Sequence, residues 1–414
     1  MPQAIRDAAR ALAREGFSPH FGTPEVALHP DAAWQAVRGT GTVLWLDTGD
    51  EAEIRKLFTA EFSAVTTNNT LLNAEIQKGI YDAFVPHAAR VLREADPKIT
   101  QQQLLLEIAF VLNAKHALRL VSLFDARVSV ELHTDLAHDV ASSIAYGRRY
   151  YEICPERFII KIPFTPAGLL SARQLVRDGI PVNFTLGFSA RQNHLIALFT
   201  NPNWVNVFMG RLNAFVSDNR LGTGENVGEK ATLATQRALD ALRAGGRSQS
   251  HLIGASMREG AQVATLAGLD VFTMPPKVAA AYHAAPVAQL RDETANDPAV
   301  AFTTDDDFGA DTLWEISDEF RACVEALLHR DIATLGPEEI VEHFDVAGIG
   351  GFFPRWSDAE LRTVRAEGKI PRLATWKERL GGGGIDLDAL MNMAALQSFV
   401  GDQAALDQRV ASFL

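Results

Sequence analysis

The chain has 414 residues, a net charge of −12, an apolar fraction of 47% and two cysteines. That apolar fraction suits a globular protein with a sizeable core. The acidic balance, with no basic stripe, argues against a nucleic-acid partner, and Cys154 and Cys323 give neither a disulfide framework nor a zinc spacing. No apolar run reaches membrane-spanning length. Met1 to Phe17 reads as an amphipathic helix carrying acids, without the apolar centre of a signal peptide, so a cytoplasmic protein with reduced thiols is expected.

Residues 1–40 predict one or two helices interrupted by the Pro/Gly-rich stretch near Pro19 to Pro24. A short apolar strand, Val43 to Leu46, ends at Asp47; Thr48-Gly49-Asp50 is turn chemistry, and Glu51 opens a helix. The strand Ser63 to Thr67 runs into Asn68-Asn69-Thr70, where a capped helix starts. Residues 81–118 form one long helical stretch, followed by a strand at Val128 to Glu131 and a helix from Asp135 to Tyr150. The fourth strand, Phe158 to Phe164, is unbroken by polar residues except for Lys161. Such a run reads as a strand buried on both faces. Its helix, Pro166 to Asp178, places Leu169, Ala172 and Leu175 on one stripe and stops at Gly179.

The fifth strand, Ile180 to Leu186, alternates, with Val182, Phe184 and Leu186 on one face and Asn183 and Thr185 on the other. Further strands are expected at Trp204 to Phe208, His251 to Ala255 and Val271 to Met274, with a helix near Gly228 to Ala244. Eight short strands alternating with helices argue for an α/β fold, a (β/α)8 barrel. Residues 1–297 are assigned to the barrel with its N-terminal helices. Residues 298–414 form a helical C-terminal extension packed on it, with helices at Asp311 to His329, Pro337 to Phe344, Asp358 to Ala366 and Asp386 to Phe399. Asp305-Asp306-Asp307 and Gly381 to Gly384 lack the frame of a metal or phosphate loop and read as solvated turns. His133 and His138 lack the spacing that puts two ligands on one helix face, so no metal site is assigned.

In such a barrel, catalytic groups collect at the C-terminal ends of the strands. The polar residues there are Asp47, Asn68, Glu131, Lys161, Asn183, Thr185 and Arg211, with Ser256 and Arg258 after the seventh strand. Each alone could be a cap, a turn residue or a rim charge. The fifth strand resists that reading, because its apolar face must meet the helices and Asn183 and Thr185 must then face the interior, where buried polar groups need partners. A dry amine is a nucleophile for carbonyl carbon. Two carboxylates in different environments can carry protons separately. Arg211, Ser256 and Arg258 offer charge-assisted donors to a phosphate.

In order and spacing these residues resemble the transaldolase family of class I, Schiff-base-forming aldolases. The matching motifs are Leu46-Asp47-Thr48-Gly49-Asp50, Thr66-Thr67-Asn68, Val128-Ser129-Val130-Glu131, Phe158 to Pro163, Val182 to Ser189, Phe208-Met209-Gly210-Arg211 and Gly254 to Arg258. The resemblance implies that Lys161 forms the Schiff base and that Asp47 is the acid/base at the sugar hydroxyl. It implies that Glu131 and Thr185 hold a proton-relaying water, and that Asn68 and Asn183 bind the dihydroxyacetone unit. Arg211, Ser256 and Arg258 would bind phosphate. The substrates would be sugar phosphates of the pentose phosphate pathway, sedoheptulose 7-phosphate or fructose 6-phosphate as donor, and no metal or organic cofactor is required. A homodimer is compatible with the resemblance.

Three departures stand out. Asn68-Asn69-Thr70 replaces the family's usual Asn-Pro-Ser, which predicts a less rigid loop. Asn206 stands where the family usually has serine beside the donor. The chain after about residue 298 is longer than in a common transaldolase. Asn69 and Asn206 therefore favour an alternative, a Schiff-base aldolase or carbon-transfer enzyme acting on a different sugar. A catalytically silent barrel serving as a scaffold is disfavoured, because Asp47, Glu131 and Lys161 are all present.

Overall fold

The protein is described from a computed structural model that covers residues 2–304 and 307–414. Two helices, α1 (Gln3–Arg14) and α2 (Ala32–Arg38), precede a closed barrel of eight parallel strands in sequence order. The strands are β1 (Val43–Asp47), β2 (Phe62–Thr66), β3 (Arg127–Glu131), β4 (Phe158–Pro163), β5 (Val182–Thr185), β6 (Trp204–Phe208), β7 (His251–Ala255) and β8 (Val271–Met274). Pairing of Val43 with Val271 closes the ring. The helices between strands are α3 (Glu51–Leu57), α4 (Asn69–Gln77), α5 (Phe84–Ala95), α6 (Gln101–Phe124), α7 (Val140–Ile153), α8 (Pro166–Arg177), α9 (Ala190–Phe199), α10 (Met209–Asp218), α11 (Val227–Ala244) and α12 (Gln262–Thr265), and α13 (Pro276–Ala284) follows β8. Among the described residues, no helix is long and apolar enough to cross a membrane.

Sequence and structure part where local chemistry interrupts an apolar pattern. The single helix expected over 81–118 is two, because Pro97 lacks an N–H and disfavours helical backbone at Asp96. The second helix restarts at Thr100, whose hydroxyl accepts from the Gln103 amide at 3.2 Å. The helix expected from Asp135 begins instead at Val140, because Asp139 caps the Ser142 amide. β5 is shorter at both ends than its alternating run.

Strand alternation sorts the barrel interior into layers. Trp45 of β1 and Trp204 of β6 meet edge to face with ring centroids 5.1 Å apart. Two residues further along the same strands stand Asp47 and Asn206. A period of two therefore puts apolar bulk at the bottom of the barrel and polar groups at its top.

After β8 the chain forms α14 (Asp318–Leu328), α15 (Pro337–Val346), α16 (Asp358–Glu367), α17 (Leu373–Gly381) and α18 (Leu387–Ala411). The expected helix from Asp311 starts at Asp318 behind the Ser317 cap; the one expected over Asp386 to Phe399 runs on to Ala411; α17 was not expected. Asp305 and Asp306 lie outside the described residues. The Asp307 carboxylate accepts from the Gly309 amide in a turn, and Gly381 to Gly384 form the exposed end of α17 and its turn.

This segment shares one apolar core with the barrel. Phe164, just past β4, packs against Phe352 and Phe353 with centroids 5.9 and 5.4 Å away. Arg191 of α9 is buried between Asp386 and Asp388, at 2.7 and 2.6 Å. The fully buried Asp388 also accepts from the Ser189 hydroxyl at 2.6 Å. α18 then crosses the strands' C-terminal side. Asn392 donates to the Leu186 carbonyl at 2.9 Å, and the Asn69 amide donates to Gln403 at 2.7 Å.

Candidate active site

A cavity of about 300 Å³ opens at the C-terminal ends of the strands. Its walls include Asp47, Asn68, Lys161, Asn183, Asn206, Arg211, Ser256 and Arg258, so most of the residues read from the sequence meet in one place. Glu131 and Thr185 stand behind that surface, buried at 3% and 0% exposure.

Register explains the grouping. Glu131 pairs across the sheet with Lys161, and Lys161 with Asn183. Three neighbouring strands thus present an acid, an amine and an amide at one level. Lys161 is 3% exposed; its Nζ donates to the Thr67 carbonyl at 3.1 Å and lies 3.5 Å from Glu131 Oε2. That oxygen has no hydrogen-bond partner among the described residues, so the amine is its nearest charge. Burial pushes the Glu131 carboxyl above the usual range, and the Lys161 charge only partly offsets this.

Asp47 keeps partial access to the cavity. Its Oδ1 accepts from the Thr66 hydroxyl at 2.7 Å, and that hydroxyl lies 2.6 Å from Thr273 Oγ1. Burial raises this carboxyl too, against the pull of Lys161, Thr66, Arg258 and Arg211. Two acids thus share the cavity region with one amine, and burial raises both carboxyls.

Asn68 caps α4: its Oδ1 accepts from the Leu71 amide at 2.8 Å. The cap fixes the side chain, and its NH₂ end makes no hydrogen bond among the described residues. Asn183 donates to Ser129 at 3.1 Å, and its Oδ1 is buried without a partner among the described residues. Asn206 donates to Thr185 Oγ1 at 3.2 Å and accepts from the Gly187 amide at 3.3 Å. Thr185 is thus bonded to Asn206. Among the described residues no hydrogen bond joins it to Glu131.

Arg211, 6% exposed, lies between the rings of Phe208 and Phe399, 5.4 and 5.6 Å from their centroids. Its Nη1 is buried without a hydrogen-bond partner among the described residues. Burial, and Arg258 nearby, push its pKa down to about 10. A cation so desolvated, with a buried Nη1 left without a partner among the described residues, fits an anion. Gly210 makes the approach of Arg258 possible, since a Cβ there would stand 2.1 Å from the Ser256 carbonyl and 2.7 Å from the Arg258 side chain. Ser256 itself has φ of 61°, strained backbone of the kind that gathers at functional sites.

Sequence reading missed two groups. Thr66, Ser129 and Thr273 orient the named residues, and the same period-two alternation that exposed Asn183 and Thr185 could have found them. Lys369 and Phe399 reach the cavity wall from the C-terminal segment, and no local pattern marks either.

An eight-stranded α/β barrel with a buried amine, two flanking acids and two arginines converging at its C-terminal end is the layout of a barrel enzyme. The sequence model of the transaldolase/fructose-6-phosphate aldolase family matches residues 44–332. Transaldolase of Xanthomonas oryzae pv. oryzae is 31% identical over 245 residues, 57% of this chain and 73% of that protein. Transaldolase of Schizosaccharomyces pombe is 30% identical over 251 residues, 58% and 75%. Transaldolase 2 of a Nostoc species is 29% identical over 181 residues, 42% and 41%. The chain belongs to the transaldolase/fructose-6-phosphate aldolase family, and is accordingly an enzyme of the transferase class.

Proposed function

We propose that the protein transfers a dihydroxyacetone unit from a ketose phosphate, sedoheptulose 7-phosphate or fructose 6-phosphate, to an aldose phosphate through a Schiff base on Lys161, the chemistry of pentose phosphate interconversion. The observation that carries this reading is the Lys161 amine, held dry 3.5 Å from Glu131 and within the same cavity as Asp47.

In this reading the amine adds to the ketose carbonyl and the resulting carbinolamine loses water. Glu131 and Thr185 handle the protons of those steps, and burial, which raises the Glu131 carboxyl above the usual range, suits it to both giving and taking one. Asp47 takes the proton from the hydroxyl whose oxygen becomes the aldehyde as the C–C bond breaks. The aldose leaves, the three-carbon enamine stays on Lys161, and a second aldose phosphate collects it by the reverse steps. Asn68 offers its NH₂ and Asn183 its Oδ1 to the dihydroxyacetone hydroxyls, and Arg211, Ser256 and Arg258 hold the phosphate.

The test is borohydride reduction in the presence of fructose 6-phosphate, followed by peptide mass mapping. A three-carbon adduct on Lys161 is expected, and Lys161→Met abolishes both adduct and turnover while leaving the circular dichroism unchanged. Full turnover in Lys161→Met removes the mechanism.

Asn206 supports a second reading, a Schiff-base aldolase or carbon-transfer enzyme acting on another sugar. Its amide is bonded to Thr185, one of the proposed water-holding groups, and sits on the cavity wall. Discharge of the unreduced intermediate by erythrose 4-phosphate faster than by water separates transfer from simple cleavage.

A further inference from the structure

We infer that Lys369, carried on the loop between α16 and α17, is a third cation of the substrate-anion site and selects phosphorylated over unphosphorylated sugars. This rests on the sugar-phosphate reading above. Lys369 lines the same cavity as Arg211 and Arg258, yet lies beyond residues 44–332, the stretch matched by the family. It is exposed to the cavity mouth and makes no hydrogen bond or ion pair among the described residues. An unpaired lysine is unremarkable on an outer surface. Here it stands at the rim of a pocket in which the buried Arg211 also has an Nη1 without a hydrogen-bond partner among the described residues.

The loop is built to hold that position. Gly368 ends α16 at φ 81° and ψ −141°, a region essentially restricted to glycine. The Glu367 carboxylate then gathers the turn: it accepts from the Arg372 amide at 3.1 Å, the Thr375 hydroxyl at 2.6 Å and the Trp376 indole at 2.8 Å. Asn219 follows α10, the helix that carries Arg211. Its side chain donates to the Pro371 carbonyl at 3.0 Å and accepts from the Leu373 amide at 2.7 Å. From the other side, Arg365 donates to Gln397 of α18 at 2.8 Å, two residues from Phe399, which covers Arg211. The same clamps thus fix the outer lysine relative to the buried arginine. A phosphate dianion can meet Lys369 first and settle against Arg211 and Arg258, trading water for fixed cations one at a time.

The experiment measures inorganic phosphate binding to the full-length protein by calorimetry at low ionic strength, together with steady-state kinetics on fructose 6-phosphate and on fructose. In Lys369→Met, phosphate binding weakens roughly five- to tenfold, as loss of one partly exposed charge-assisted contact predicts. KM for fructose 6-phosphate rises by a similar factor, while kcat and the rate on fructose stay within about twofold. Lys369→Arg retains binding. Gly368→Ala keeps the charge but must abandon the positive φ, and it weakens binding as well. Unchanged phosphate affinity in Lys369→Met, an equal loss on fructose, or no phosphate binding by the parent protein would each overturn the inference. Phosphate binding is also read in Lys161→Met. Failure of borohydride trapping therefore sinks the Schiff-base reading while leaving the role of Lys369 separately decided.

Discussion

The barrel and the C-terminal segment reach the same cavity by different routes. In the barrel, Glu131, Lys161 and Thr185 stand at the ends of three neighbouring strands and Asp47 at the end of β1, placed by parallel register and a period of two. Little but the strand pattern is needed to bring them together. In the segment, Lys369 and Phe399 arrive from separate elements and are fixed by contacts that span the chain, such as Asp388 with Arg191 and Gln403 with Asn69. The barrel thus supplies the amine and the acids, and the segment supplies part of the wall and of its rigidity. The loop after β2 shows the division most clearly. Asn69 stands where a proline is usual in the family, and a looser loop was expected. Instead, Asn69 is bonded to Gln403 and Thr70 to Asp402, both on α18. Stiffness that a ring would give locally comes here from a helix more than 300 residues away in sequence.

The sharpest way to break this division is to remove an acid from the barrel. Glu131→Gln should lower kcat by about 10²–10⁴, the usual contribution of a positioned proton carrier, with an unchanged thermal melt and unchanged phosphate affinity. The pH profile carries the sign. Burial raises the carboxyls of Asp47 and Glu131, so each takes up its proton at a higher pH than a free carboxyl does. Steps that need the carboxylate are lost as pH falls through that raised value. The acid limb of kcat/KM should therefore lie above the ordinary carboxylate range, and a limb near pH 4 would mean that neither acid acts as a base.

The converse change is made in the segment. Asp388 is fully buried against Arg191 and Ser189. Asp388→Ala leaves the Arg191 cation with Asp386 alone, and loss of a buried ion-pair partner costs about 3–5 kcal/mol. Urea denaturation should show that loss, while Lys161 remains trappable by borohydride in the folded fraction. If stability falls by less than about 1 kcal/mol, the segment is a loosely attached appendage and its part in the cavity wall is in doubt.

Legibility followed the same line. The eight strands, and the cluster of Asp47, Asn68, Lys161, Asn183, Arg211, Ser256 and Arg258, were readable because each depends on residues close in sequence. The run at Phe158 to Pro163 announces a strand buried on both faces, and alternation at Val182 to Thr185 announces which side chains turn inward. Helix limits were less legible where a cap or proline overrides an apolar stripe, as at Pro97 and Asp139. Lys369 was not legible at all: its position depends on the Gly368 turn and on Asn219, which sits 150 residues earlier in the chain. The bond from Asn206 to Thr185 was equally hidden, since sequence gives the residue types but not which amide end faces which hydroxyl.

The smallest expected effect tests the loop after β2. The Asn69 side chain has one bond, to Gln403, and a buried Oδ1 without a partner among the described residues. Asn69→Ala loses the bond but also removes the orphaned oxygen, so its cost should be below about 1 kcal/mol, and a cycle with Gln403→Ala should isolate a coupling of that order. Asn69→Pro separates two roles. Position 69 is the first residue of α4, where proline is tolerated. However, the Asn69 backbone N–H draws the Glu131 carboxyl downward, against the burial that raises it overall. Proline removes that donor and alanine keeps it. The acid limb should therefore move to higher pH in Asn69→Pro and stay in place in Asn69→Ala, even if the two variants are equally stable. Superimposable profiles would show that the loop touches Glu131 without tuning it, and that α18 stiffens the barrel mouth with no effect on its proton chemistry.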